Sequence, residues 1–367
     1  MQTLSRWWAR VQGRLFSHLE LNLPQLPTAQ HKRLAAVLEL VRIEEHVAAP
    51  VVGKAGRPPC DRQVLARAFV AKAVFNLPDT DALIERLAAD ENLRLICGLR
   101  PGQKVPSPAT FSRAFGEFAE SRLGDRVHEA LVSAHLKDTL VGHISRDATE
   151  IEAREKPAKK PEPEPEQETS EPTPKTGKRR RKRQKQAPSR HPRQITQTAE
   201  EAIAELPTAC DKGCKHNSKG QFSTWIGYKL HLDVNDAGLP LFALTTSASL
   251  HDSQAAIPMA RITAGRVTAL YEVMDSAYAA EPIRDVCRSL GHVPIIEPHP
   301  LQRKTKPLDP AAERRLDERT VVERAYSRLK DEFGARSVRV RGYAKVHTHL
   351  MFGVITLFAD ALIKLVT

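Results

Sequence analysis

Three carboxylates, Asp147, Asp275 and Glu323, stand far apart in the chain, yet each occupies a place from which a reactive centre can be built. Asp147 closes the stretch His143-Ile144-Ser145-Arg146-Asp147, and Asp275 closes Val273-Met274-Asp275. Glu323 falls in a long amphipathic segment. Carboxylates suit Mg²⁺, a hard ion that prefers oxygen ligands and keeps several waters. Two such ions about 4 Å apart promote in-line displacement at phosphorus, one activating the attacking oxygen and one stabilising the leaving oxygen. That chemistry requires acids from distant stretches to converge. A single aspartate taken alone is more often a turn or cap residue, so the elements that carry the three acids decide between the readings.

Those elements read as an α/β domain. Thr139 to Asp147 predicts a first strand, Trp225 to Val234 a second, and Leu239 to Ser249 a third after a turn at 235–238. Asp252 or Ser253 caps a helix running to about Arg266, and His251 sits at a strand end. Ala269 to Asp275 predicts a fourth strand, Glu281 to Leu290 a helix stopped by Gly291, and His292 to Glu297 a fifth strand. Thr320 to Ala335 is a long helix, and an apolar helix starts near Thr348. Strand, strand, strand, helix, strand, helix, strand, helix is the order of an RNase H-like mixed sheet with flanking helices. Its first and fourth strands are neighbours, so Asp147 and Asp275 face one cleft. On the 320–335 helix, Arg319, Glu323 and Lys330 fall within roughly 40° of one another at about 100° per residue. They edge the apolar face formed by Val322, Tyr326, Leu329 and Phe333.

Residues 1–136 read as an all-helical N-terminal domain, with Val64, Leu65, Phe69, Val70 and Ala73 forming one apolar stripe. Leu83, Leu87, Leu93 and Leu95 mark a second helix or helix pair, and Ser107-Pro108 a helix start. Residues 153–206 break the pattern: Pro161 to Glu166 alternates proline with glutamate, and Lys178 to Lys185 is a basic run. Such composition buries no core and predicts a disordered charged linker, inserted in a catalytic domain made of 137–152 plus 207–367. The net charge of +12 favours polyanionic partners. Five cysteines at irregular spacing fit a reducing cytosol. The most apolar tract, Leu350 to Ala359, is too short to span a bilayer, so no membrane is expected.

Arg319-x3-Glu323-x6-Lys330 resembles most of the Tyr-x2-Arg-x3-Glu-x6-Lys signature of bacterial insertion-sequence DDE transposases, with Leu316 in the tyrosine position. The stretches from Trp225 to Asp233, from Ser247 to Ser253, from Asp275 to Tyr278 and from Leu329 to Gly334 are similar to further blocks of that family. The resemblance spans the N-terminal helices and the catalytic part but not the linker. It implies that Asp147, Asp275 and Glu323 bind two Mg²⁺ ions, or Mn²⁺, and that Arg319 and Lys330 contact transposon-end DNA. It also implies metal-dependent nicking at the inverted ends and strand transfer of the 3′-OH into target DNA by a homodimer in the synapse. The expected setting is the bacterial cytoplasm, at the nucleoid. A transposase-derived DNA-binding protein without turnover, a scaffold built on the linker, and a repair or RNA-strand nuclease on the same fold are the competing classes.

Several features are weaker. Cys210-x3-Cys214-x-His216 hints at zinc, but the spacing is loose, and a loop before the second strand is the simpler reading. Glu150 is either a support for Asp147 or a solvated edge. Ser112 and Arg113 lie where a helix-turn-helix could reach DNA, and Trp7, Trp8 and Phe16 read as local packing.

Overall fold

The computed structural model describes residues 26–48, 60–158, 189–216, 222–298 and 308–366. The 161–166 tract, the 178–185 basic run and the aromatics Trp7, Trp8 and Phe16 lie outside the described residues.

Among the described residues six α-helices precede the sheet: α1 (Ala29–Val41), α2 (Arg62–Val74), α3 (Thr80–Ala89), α4 (Glu91–Cys97), α5 (Pro108–Glu120) and α6 (Leu123–Leu136). Their starts are fixed locally. Asp79 and Asp90 accept the backbone N–H groups of Ala82 and Leu93 at 2.9 and 3.0 Å, satisfying donors that a helix start leaves open. α5 begins where Ser107-Pro108 predicts, although the Ser107 hydroxyl pairs with Thr110 Oγ1 at 3.1 Å instead of capping. The predicted stripe from Val64 to Ala73 is buried, and α2 is apolar nearly all round because it is central.

The sheet has six strands: β1 (Leu140–Glu152), β2 (Asp211–His216), β3 (Phe222–Asn235), β4 (Pro240–Ser247), β5 (Thr268–Met274) and β6 (Val293–Ile296). Their order is β2-β3-β1-β5-β6, with β4 also paired to β3. β1 pairs antiparallel with β3 and parallel with β5, the RNase H-like mixed arrangement. Two boundaries differ from expectation. β1 runs past Asp147 to Glu152, because β3 still pairs it beyond the end of β5. The 210–216 stretch is not a loop but strand β2, on the outer edge of β3. Gly213 hides the alternation: a Cβ there would lie 2.3 Å from the Trp225 ring, which occupies that space.

The stretch 153–206 is not linker throughout. α7 (His191–Thr196) and α8 (Ala199–Ala204) pack on α9 (Ser253–Arg266). A reciprocal Thr198–Glu201 capping box starts α8, and Arg261 donates to the carbonyls of Gln194 and Ile195 at 2.8 and 2.9 Å. Within these short pieces only His191, Gln194, Ala199 and Ala202 are buried, two polar and two small side chains that cannot register as a hydrophobic period.

α10 (Glu281–Ser289) crosses between β5 and β6, and α11 (Pro310–Leu316), α12 (Thr320–Glu332) and α13 (Tyr343–Val366) complete the fold. α13 begins five residues before the predicted start and has 24 residues, so it is long and apolar enough to cross a membrane. The expectation that this tract is too short is corrected. Its faces are covered by α6, α1, α2, α5 and β4, and most of its side chains are buried among them. Phe352 of α13 meets Phe69 and Phe115, with ring centroids at 5.6 and 6.2 Å. One hydrophobic cluster thus runs from Leu34, Phe69 and Phe111 through Phe358 to Val141, Ile144 and Leu241 of the sheet.

Candidate active site

Arg146 of β1 is paired with Met274 of β5, so the next residues along, Asp147 and Asp275, emerge side by side. Both carboxyls are partly buried. Burial pushes Asp147 up to about 7; the Ala148 N–H pulls it back, and the neighbouring Asp275 and Asp252 charges push it further. Burial also raises Asp275, opposed by the Ala277 N–H, which its Oδ1 accepts at 2.9 Å. The Arg319 guanidinium acts on both, favouring the charged forms.

Asp252, which the sequence suggests as a helix cap, instead brings its charge to bear on both Asp147 and Asp275. It occupies the start of α9, but its side chain makes no capping bond. Instead Oδ1 accepts from Lys229 Nζ at 2.7 Å, and the same ammonium donates to Leu250 O at 2.8 Å. His251 Nδ1 lies 2.9 Å from Ser253 Oγ and does not pair with Asp252. The available signal was position: Asp252 sits on a strand-to-helix turn of the sheet that carries Asp147.

Glu323, on the first turn of α12, is not drawn in with the aspartates. Its side chain is 51% exposed, and Oε1 lies 2.9 Å from Arg319 Nη1. α12 is nevertheless clamped beside Asp147. The Tyr326 hydroxyl lies 2.6 Å from the Asp147 carbonyl and 3.1 Å from that of Leu230, and Lys330 Nζ donates to Thr149 Oγ1 at 2.8 Å and Glu150 Oε1 at 3.1 Å. Lys330 therefore rests on β1, and Glu150 is its partner.

Among the described residues no group of three His, Cys, Asp or Glu side chains is drawn tightly enough to hold a metal ion as it stands. The chemistry of the donor set nonetheless fits a hard divalent cation: the converging groups are oxygen donors. The Tyr278 hydroxyl, acted on by Asp252, Asp147 and Asp275, is buried without a hydrogen-bond partner. The cysteine pair gives no comparable site. Cys210 is buried with Sγ 3.9 Å from Glu155 O, and Cys214 is exposed on β2.

Behind the acids lies an ionic core that the sequence did not announce. Because side chains alternate along a strand, Arg146 points away from Asp147. Its guanidinium is fully buried, with Nε and Nη2 on Asp233 at 2.7 and 2.8 Å and Nη1 on Glu272 at 2.7 Å. His292 Nδ1 lies 2.7 Å from Glu272 Oε1, and Thr263 donates to Asp233 at 2.5 Å. The network ties β3, β1 and β5 together, one residue before Asp147 and three before Asp275.

A mixed sheet of this order, with aspartates from its two adjacent central strands, defines the RNase H-like class. The family model of the transposase DDE domain matches residues 143–359, and that of the transposase domain DUF772 matches residues 23–117. No curated protein and no solved structure matches the chain. The first match covers more than half of the sequence, and the chain belongs to the transposase DDE domain family. DDE transposases act on DNA and in general use divalent metal ions.

Proposed function

We propose that the protein is an active transposase that nicks DNA at the ends of its element and joins the freed 3′-OH to target DNA. The observation that carries this reading is the β1–β5 register, which sets Asp147 beside Asp275 at the foot of α12. Asp147, Asp275 and Glu323 would hold two Mg²⁺ or Mn²⁺ ions. Bound divalent cations supply activation of the attacking oxygen and stabilisation of the leaving oxygen in each displacement.

The chain's own residues do the positioning. Tyr326 and Lys330 hold α12 against β1, and Glu323 would turn from Arg319 to join the aspartates. Arg319 is the charge shared by all three acids, and it fits a phosphate as well as a carboxylate. On DNA arrival it passes from Glu323 to a phosphate, which frees the third acid. Lys330 supplies a second positive charge on the same helix. A homodimer bringing two element ends together, in the bacterial cytoplasm at the nucleoid, completes the reading.

The test is divalent-metal-dependent cleavage of DNA flanking the gene. Asp147→Asn, Asp275→Asn and Glu323→Gln should each lower nicking at least ~10³-fold, about 4 kcal/mol of barrier, and keep most duplex binding. Near-normal cleavage by any one variant removes that residue from the site. Tight binding without cutting by the unsubstituted protein would favour a transposase-derived DNA-binding protein.

A further inference from the structure

A cleft of about 530 Å³ lies away from the acids, between the N-terminal helices and the turn that joins α12 to α13. Its apolar floor includes Phe69, Phe115 and Phe352. Lys72 of α2 also lines it, and that side chain is an anomaly: the residue is only 8% exposed, and among the described residues its ammonium has no hydrogen-bond or ion-pair partner. An ammonium taken out of water without a partner is costly. Asp79, the nearest acid acting on it, already caps α3.

The cleft mouth carries four further cations, Arg154, Arg339, Arg341 and Lys345, all exposed and none engaged by a side chain among the described residues. Two acids, Asp79 and Asp81, line the same space, so the balance is strongly positive. What sets the recess apart is convergence: five cations line one space, and none of them is held by an acid among the described residues.

We propose that this cleft binds the phosphate backbone of duplex DNA, with Lys72 as its buried ammonium. The inference rests on the transposase reading for the identity of the polyanion and adds a second contact, displaced from the chemistry. Its offset follows from the elements. Arg154 is seven residues beyond Asp147 along β1 and its continuation, or ~23 Å at about 3.3 Å per residue. Phe333, at the cleft, is ten residues beyond Glu323 along α12, or ~15 Å at 1.5 Å per residue. At about 3.4 Å per nucleotide, the gripped phosphates lie roughly four to seven nucleotides from the scissile one.

The test uses the full chain and a fluorescein-labelled 30-base-pair duplex of arbitrary sequence, titrated across salt. Arg339→Ala combined with Arg341→Ala should flatten the slope of log K against log salt by about 2, since each lost phosphate contact removes about 0.9. Lys72→Met should raise the thermal midpoint of the free protein yet weaken duplex binding at least ~5-fold, the loss of one well-placed phosphate contact. A structural lysine would do the opposite to the midpoint, and a lowered midpoint overturns the role given to Lys72. Unchanged affinity and slope in both variants overturns the cleft. Asp147→Asn, run in parallel, separates the two readings. If the unsubstituted protein nicks element ends while the cleft variants keep the full slope, the cleft alone fails. If the cleft variants lose slope but no metal-dependent nicking occurs, the transposase reading fails and the cleft stands.

Discussion

Lys72 and Arg146 are both buried cations, and they behave in opposite ways because one has partners and the other does not. Burial lowers the Lys72 ammonium to about 8 from its usual 10.5. Between those values the unfolded chain holds more protons than the folded one, so stability rises with pH across that window. Below pH 8 the penalty is fully present, on the order of 3 kcal/mol at 1.36 kcal/mol per unit. Lys72→Met should therefore exceed the unsubstituted protein in stability at pH 7, and denaturant titrations should show the gap closing between pH 8 and 10.5. Arg146, held by Asp233 and Glu272, should respond the other way. Arg146→Met strands two buried carboxylates and should cost about 3–5 kcal/mol, read as a drop in the urea midpoint. None of this was legible in the sequence. Arg146 reads there as one more basic residue beside an acid, and only the strand's alternation turns it inward. That Asp147 and Asp275 stand side by side could be read from the order of elements, which makes their two strands neighbours. The charge of Asp252 beside them could not, since an aspartate before a helix reads first as a cap.

At the scale of elements, the junction of α12 with β1 determines whether Glu323 can reach the aspartates. Tyr326 bridges two strand carbonyls, and Lys330 reaches Thr149 and Glu150. Tyr326→Phe removes the hydroxyl and leaves the Asp147 carbonyl without that donor, which should cost about 1–3 kcal/mol. The same variant should slow nicking more than it weakens DNA binding, because the helix drifts while the cations remain. Equal loss in both would mean that the tyrosine supports the fold alone. The spacing of Arg319, Glu323 and Lys330 on one helical edge was visible from 3.6-residue geometry. Their present partners were not, because an ion pair between Arg319 and Glu323 is as compatible with that spacing as a metal site is. The two short helices after the charged stretch escaped notice for a related reason: their stability comes from a capping box and from Arg261, 60-odd residues away in sequence, rather than from a periodic apolar face.

Across the whole molecule, the N-terminal helices share their core with one part of the sheet, while a second cluster lies between the sheet, α12 and α13. Phe352 of α13 sits among Phe69, Phe115 and Phe118, while Phe358 on the same helix joins the cluster that reaches the sheet. Arg33 of α1 adds an ionic link, with Nη2 on Glu332 at 2.9 Å and Nε on Asp360 at 2.5 Å. Phe352→Ala should therefore lower stability by about 3–5 kcal/mol. Calorimetry should show the helices and the sheet melting in one shifted transition, and two separated transitions would show that the regions fold independently. The shared core was hidden because an apolar helix near the end of the chain gives no sign of what it packs against. It also fixes a timetable. α13 is the last of these elements to leave the ribosome, yet α1, α2, α5 and α6 depend on it for cover. During synthesis those early helices wait with their apolar faces open until α13 arrives, so holdase chaperones should bind the nascent N-terminal helices and let go only once α13 has emerged. A growing chain in that condition has no finished cleft and no clamped α12, and its DNA chemistry begins only after its longest-range contacts have closed.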